Sequence, residues 1–361
     1  MLSRRSLLIS GGSIAACAGL AYDLWPDLHK YDEELARQRK VLASDAGLRE
    51  FIRYATLAAN GHNAQPWRFR VAEDKIKILP DLARRTEVVD PDDHHLFVSL
   101  GCATENLLIA AQTFGRPGKA HVRDDSRTMV EIALESGVEQ KAPLYDAIPF
   151  RQSTRSAFDG HQAPTADLEL LKSAAQEDGV SVLLFTEPRH REAILELVVE
   201  GNSTQMNDPA FIAELRHWLR FSPEQAIARK DGLFAACSGS PTVPGWLGDL
   251  AFSLVFKEKT ENDKYRDHVR SSAGIAVFIG DEEEPEHWIK VGRSFQRFAL
   301  QATVLGIRNA HINQPIEVPT VRNDFANWLG VGKTRPDLVV RFGYAPPLPM
   351  SMRRSVDQVI I

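Results

Sequence analysis

The stretch Ala58–Phe69, AANGHNAQPWRF, is the most informative part of this sequence. A helix-like run, Leu48–Ala59, is stopped by Asn60-Gly61, and a strand-like run follows at Trp67–Val71. Proline restricts the backbone where the chain leaves the turn, and tryptophan offers a large apolar anchor. The pattern predicts a compact turn between a helix and a strand, with His, Asn and Gln side chains free to form hydrogen bonds. A purely structural turn is the alternative.

Length and composition narrow the class of protein. With 361 residues, 43% of them hydrophobic, the chain can form two domains, or one doubled domain, around a sizeable core. A formal net charge of -5 with interspersed signs argues against nucleic acid or an anionic membrane surface as the main partner. No apolar run reaches the roughly 18 residues that a membrane-spanning helix needs.

The amino terminus resembles a twin-arginine export signal, because Arg4-Arg5 precede the Gly- and Ala-rich apolar stretch Ile9–Ala16. We therefore expect a periplasmic or membrane-tethered protein. Two processing routes stay open. A lipobox-like sequence would leave Cys17 acylated as a lipid anchor, whereas Gly19–Ala21 resembles an ordinary peptidase site, which is slightly favoured.

Two segments of the chain resemble each other. Gly101–Gly115 and Gly292–Gly306 have identical glycine spacing, and each predicts an amphipathic helix whose closing glycine is the C-cap. Strand-like runs follow the first segment and lie on both sides of the second. We therefore predict a signal at 1–21 and two related α+β halves, at 40–148 and 149–361.

The second half opens with a cationic motif, RQSTR, that contains Arg151, Ser153 and Arg155. Guanidinium groups bind phosphate through paired hydrogen bonds, and a hydroxyl adds a donor. A second pair, Arg353-Arg354, precedes the apolar tail. The two motifs predict one phosphate site that is built from both ends of the second half. An ordinary solvated loop is the alternative for the first motif.

Together these motifs resemble the nitroreductase family of FMN proteins, and most closely its single-chain, internally duplicated Acg-like branch. The resemblance rests on HNAQPW, RQSTR, both glycine-bounded helices, residues 309–317 and the RFGY…RR ending. It implies an α+β nitroreductase-like fold, in which two pseudo-symmetric halves of one chain mimic the family homodimer. A monomer is therefore expected.

The resemblance also implies one FMN site per chain, shared between the halves. The first half has the turn but lacks R-x-S-x-R, since Arg37–Lys40 contains no serine, and the second half lacks the turn. The implied contacts with the phosphate come from Arg151, Ser153, Arg155, Arg353 and Arg354, and those with the ring or ribityl chain from His62, Asn63 and Gln65. The backbone of the segment Asn313, Gln314, Pro315 and Ile316 is implied to lie near flavin N5 and O4. The histidine and asparagine of the turn have an alternative as turn-capping groups.

A Gly-, Ser- and Pro-rich stretch, Phe221–Asp249, is predicted to be an irregular insertion. Long irregular segments in compact proteins are usually functional. We predict a lid over the flavin, with Trp246 as the aromatic side chain that reaches the site. A dimerisation arm is the alternative.

Two further groups of residues carry weaker signals. His94-His95 follow Asp90 and Asp92-Asp93, but we interpret this run as a surface loop and predict no metal site. Cys102 lies on an apolar helical run and is predicted to belong to the core. The spacing does not decide whether it pairs with Cys237.

The function that these observations favour is an FMN oxidoreductase. A small-molecule donor would deliver hydride to flavin N5, and an electron-poor nitro or quinone compound would accept it. An exported protein would work where NAD(P)H is scarce, so the identity of the electron donor is left open. The alternatives are a protein that stores or sequesters FMN under its lid and a flavin-free scaffold.

Overall fold

The structure, a computed structural model, describes residues 28–124 and 127–361, apart from the side chains at positions 249 and 251. The predicted export signal at 1–21, with Cys17, lies outside the described residues. No helix in the described ranges is long and apolar enough to span a bilayer.

Over its described residues, the first half contains three helices and a four-stranded antiparallel sheet in the order β1-β2-β4-β3. Its elements are α1 (His29–Gln38), α2 (Leu48–Thr56), β1 (Trp67–Ala72), β2 (Lys75–Pro80), α3 (His94–Thr113), β3 (Gly118–Asp124) and β4 (Thr128–Leu134).

The second half contains the remaining helices and a second four-stranded antiparallel sheet in the order β5-β8-β10-β9. Its elements are α4 (Thr165–Ala174), β5 (Val180–Phe185), α5 (Pro188–Met206), α6 (Pro209–Trp218), β6 (Leu219–Arg220), α7 (Pro223–Arg229), β7 (Leu233–Phe234), α8 (Gly245–Val255), α9 (Glu258–Arg270), β8 (Gly274–Gly280), α10 (Pro285–Val304), β9 (Arg308–His311), α11 (Gln314–Glu317), α12 (Pro319–Leu329), β10 (Leu338–Gly343) and α13 (Val356–Val359).

The two sheets share one topology. In each, two strands precede a 20-residue helix, two strands follow it, and the last strand lies between the second and the third. The two long helices are α3 and α10, and the glycines that follow them, Gly115 and Gly306, have φ of +68° and +71°. Such left-handed conformations suit glycine at a helix C-terminus. The predicted α+β fold class, with two related halves, is confirmed.

Helices α3 and α10 cross at two glycines. A Cβ on Gly101 would lie 2.0 Å from the carbonyl oxygen of Ile289, and one on Gly292 would lie 2.0 Å from the carbonyl oxygen of Val98. Each contacted residue stands three positions before the opposite glycine, so the crossing is pseudo-symmetric. Buried side chains of both halves meet here in one hydrophobic core.

Edge strands of both sheets are covered by distant parts of the chain. Ile361 donates its amide to the carbonyl oxygen of Phe69 in β1 at 2.9 Å, and Thr154 donates to Asn309 in β9 at 2.8 Å. The C-terminal tail therefore reaches the first half, and the RQSTR segment lies along the second sheet.

The insertion Phe221–Asp249 is more regular than predicted. It contains α7, β7 and the start of α8, and Ser222 and Gln225 form a capping box at the first turn of α7. The prediction of an irregular segment was wrong because this capping box, with Pro223 at the first helical position, starts a helix despite the high Gly and Pro content.

Candidate functional site

The turn after α2 has a strained backbone. Three residues that are not glycine have positive φ: His62 at 50°, Asn63 at 53° and Gln65 at 55°. Such conformations cost on the order of 1 kcal/mol each and persist only where the surroundings impose them. Asn63 Nδ2 donates to the carbonyl oxygens of Gly232 and Met352, both at 3.1 Å. The turn is thus held by residues of the second half.

The RQSTR segment takes its conformation from its place at the edge of the second sheet. Thr154 is fully buried, and its Oγ1 donates to Gln152 Oε1 at 3.0 Å. Since successive residues of an extended segment alternate in direction, Arg151, Ser153 and Arg155 fall on the other side. All three, together with Gln152, line a small cavity of about 40 Å³.

Four arginines line this small cavity: Arg39, Arg151, Arg155 and Arg353. Among the described residues, no Asp or Glu lines it. Asn63 and Cys237 are also part of its wall. Guanidinium groups remain charged under almost all conditions, so this is a strongly electropositive cavity.

Several of these guanidinium nitrogens are buried without a partner. Arg151 donates from Nη2 to Leu57 O at 3.2 Å, but its Nε and Nη1 find no partner among the described residues, and neither does Nε of Arg39. Arg155 forms no hydrogen bond or ion pair within the described ranges. Burial lowers the pKa of Arg39 and of Arg151 to about 10, and a neighbouring arginine adds to each shift. Buried donors normally have partners, so these point to an anionic ligand.

A larger cavity of about 610 Å³ adjoins the small one, and both are lined by Ala59, Asn60, Arg155 and Leu233. This volume is in the range of sites for cofactors and small molecules. One wall is apolar and comes from residues 209–256, with Phe211, Leu215, Phe221, Val243, Phe252, Val255 and Phe256.

Polar groups from both halves face this apolar wall. His62, Asn313 and Gln314 line the large cavity. Burial, together with the charge of Arg155, lowers the pKa of His62 to about 4, so its imidazole is neutral at physiological pH. Gln314 Oε1 is buried without a partner in the described chain. A bound ring with hydrogen-bond donors along its edge could donate to this oxygen.

The structure brings eight of the predicted residues to the two cavities: Arg151, Ser153, Arg155, Asn63 and Arg353 at the small one, and His62, Asn313 and Gln314 at the large one. Five others line neither cavity: Gln65, Pro315, Ile316, Arg354 and Trp246. Their predicted contacts with the cofactor, which for residues 313–316 involve the backbone, stay predictions.

Gln65 and Arg354 bind each other instead. The Arg354 amide donates to Gln65 Oε1 at 2.8 Å, and its Nη1 donates to Gln65 O at 3.2 Å. Gln65 Nε2 also donates to Lys230 O at 2.8 Å. These bonds hold the C-terminal segment against the turn. Gln65 and Arg354 therefore help to position the residues around the site without lining either cavity.

The positions of Ile316 and Trp246 explain why neither side chain lines a cavity. Ile316 is fully buried in a hydrophobic cluster that also contains Phe325. Trp246 is 78% exposed on α8. Aromatic side chains of the same region do reach the cavity, but they are Phe221 and Phe252.

Sequence reasoning missed Arg39 and misplaced the histidine pair. Arg39 lies beyond α1 and was discounted because its segment lacks the serine of R-x-S-x-R.

His94 is fully buried rather than on a surface loop, and its Nε2 lies 2.8 Å from Asp337 Oδ1. His95 lines the large cavity, and its Nε2 lies 3.4 Å from Asn313 Nδ2. Ligand atoms of Asp90, His94 and His95 lie within 4.8 Å of one another.

The two cysteines of the described chain are both free and buried. Cys102 lies in the core, and its Sγ is 3.2 Å from Gly292 O. Cys237 lines the small cavity, 3.5 Å from the hydroxyl of Tyr31. The open question of their pairing is thus answered: they form no disulfide.

No family model matches the chain. A Mycobacterium tuberculosis protein named "Putative NAD(P)H nitroreductase Rv3131" is 26% identical over 329 residues, which cover 87% of this chain and 90% of that protein. The "Putative NAD(P)H nitroreductase acg" of the same species is 22% identical over 326 residues, covering 86% and 94%. The resemblance to nitroreductases, including Acg, is confirmed.

Solved structures of nitroreductases also align with this chain, at lower sequence identity than these two relatives. The FMN-dependent nitroreductase NfnB from Mycobacterium smegmatis, solved in complex with NADPH, aligns with a TM-score of 0.37 and 13% identity. The alignment covers 55% of this chain and 86% of that one.

Proposed function

We propose that this protein is an FMN-dependent oxidoreductase of the nitroreductase type, with one FMN held between the two halves of a single chain. The observation that carries the proposal is the small arginine-lined cavity without a counter-charge, joined to a larger and mostly apolar cavity. The names of the sequence relatives support the same class of activity.

The small cavity fits a phosphate monoester. Arg151, Arg155 and Arg39 would hold the phosphate, with Ser153 as an additional donor. A hydrogen bond between charged groups contributes about 1.5–3 kcal/mol. A phosphate with two negative charges would also offset the mutual repulsion of the arginines, because no carboxylate from the described part of the chain lines their cavity.

The larger cavity fits an aromatic ring and a substrate beside it. FMN, when bound, supplies a group that accepts and donates hydride. Neutral His62 can hydrogen-bond the ring without adding charge, and the unpaired carbonyl of Gln314 can accept a bond from it. The apolar wall with Phe221 and Phe252 keeps water away and suits electron-poor nitro or quinone acceptors.

Anaerobic titration with NADPH and NADH tests the proposal. We expect the purified protein to bind one FMN per chain, and we expect the visible flavin band to bleach when the nicotinamide is added. Reoxidation by a quinone should restore the colour. A flavin that binds stoichiometrically but stays oxidised would contradict a nitroreductase and would fit a storage protein instead.

We also propose that the protein is exported through the twin-arginine pathway. Replacing both Arg4 and Arg5 by lysine should retain the protein in the cytoplasm, because that pathway reads the arginine pair. Cell fractionation followed by immunoblotting measures this. Equal periplasmic amounts of the wild-type and double-lysine proteins would contradict it.

A further inference from the structure

A carboxylic acid in the wall of the large cavity has no cationic partner. Glu317 ends helix α11, which begins at Gln314, and both side chains line the cavity. Its Oε2 accepts a hydrogen bond from Gln205 Nε2 at 2.6 Å. Within the described residues, no Lys, Arg or His nitrogen lies within 4.0 Å of the carboxylate. The amide of Gln205 holds the Glu317 carboxylate in place without neutralising its charge.

The surroundings of Glu317 favour its neutral, protonated form. Burial is the largest effect, and Asp90 and Glu214 add to it, so the pKa of Glu317 is raised to about 7. The bond from Gln205 and the charge of Arg322 act in the opposite direction. Tyr265, whose hydroxyl accepts a bond from Gln314, also faces the group. A carboxyl group with this pKa can release and regain a proton near neutral pH.

We infer that Glu317 is the general acid that protonates the electron acceptor. This inference rests on the proposed function. A quinone that receives a hydride, which carries two electrons, needs one proton more to become a hydroquinone. Glu317 gives that proton to the carbonyl oxygen, becomes a carboxylate, and regains a proton from water. A nitro compound takes up the same hydride and proton and is converted to a nitroso compound and water.

The first test compares Glu317→Gln with the wild type in rapid mixing of the reduced protein with a quinone. For the wild type, reoxidation should slow as the pH rises through about 7. The variant should reoxidise about 10²-fold more slowly or worse, without that pH dependence. FMN affinity and reduction by NADPH should not change. Glu258→Gln is the matched control, because Glu258 also accepts a hydrogen bond from a side-chain amide, that of Asn207, but this bond is exposed to solvent.

A second measurement needs neither flavin nor turnover. Because the pKa of Glu317 in the folded protein, about 7, exceeds its unfolded value of 4.5, the folded state binds the proton more tightly. The free energy of unfolding should therefore fall as the pH rises from about 4.5 to about 7, and level off above. The apo form of Glu317→Gln should show a smaller fall, because Asp90 and Asp337, whose pKa values are also raised to about 7, keep their contributions. Glu258→Gln should keep the full wild-type fall.

The outcomes separate the two proposals. If wild-type protein binds FMN and is reduced by NADPH, but Glu317→Gln reoxidises at the wild-type rate with the wild-type pH profile, the acid is another group. If the wild type binds no FMN or is not reduced, the proposed function itself fails, and the inference fails with it.

Discussion

Arg155→Ala should purify almost without FMN. Arg155 lines both cavities and has no partner within the described chain, so its guanidinium is free to bind the phosphate. Loss of a charge-assisted hydrogen bond costs about 1.5–3 kcal/mol, which weakens FMN binding about 10- to 150-fold. Fluorescence titration of the apo protein with FMN measures the dissociation constant.

Riboflavin provides the internal control, because it has the ring but not the phosphate. Its affinity should be nearly equal for Arg155→Ala and the wild type. Arg189→Ala, at an exposed arginine that pairs with Glu187, should leave the affinity for both ligands unchanged. The phosphate assignment is wrong if Arg155→Ala still binds FMN as tightly as the wild type does.

Gly292→Val should unfold most of the protein or leave it insoluble. Its Cβ would lie 2.0 Å from the carbonyl oxygen of Val98, which is backbone and cannot rotate away. Helices α3 and α10 would have to separate, and the core of both halves lies around them. Overpacking usually costs about 1–3 kcal/mol, and we expect the upper end or more. Urea unfolding followed by circular dichroism measures the loss.

The matched control is Gly47→Ala, where an added Cβ meets nothing within 4 Å and the backbone is extended. This variant should unfold at the wild-type urea concentration. Gly101→Val, at the pseudo-symmetric position, should behave like Gly292→Val, since its Cβ would meet the Ile289 carbonyl at the same 2.0 Å. Wild-type stability of either valine variant would show that the two helices can move apart freely.

Much of the fold could be predicted because its signals are local. The equal glycine spacing at 101–115 and 292–306 predicted two helices that the structure places in a symmetric crossing. Proline and tryptophan after the turn predicted the exit into β1. The RQSTR motif predicted cations for one cavity, since alternation along an extended segment places every second side chain on the same side.

Other parts of the site could not be predicted from local patterns. Arg39 belongs to no motif, yet it lies in the same cavity as Arg151, where it donates to Pro149 O at 2.7 Å. Gln65 matched its motif but is used to hold Arg354. Which partner a hydrogen-bonding side chain finds depends on segments far away in the chain, and no spacing rule contains that information.

The sequence by itself determined the class of fold, the pairing of the two halves and the presence of a cationic motif, because periodicity, glycine spacing and charge act over a few neighbouring residues. The tertiary structure alone decided which cations share a cavity and placed Glu317 where no Lys, Arg or His nitrogen of the described residues lies within 4.0 Å. Burial sets the electrostatics of both groups, and burial is created only when distant helices and strands pack together.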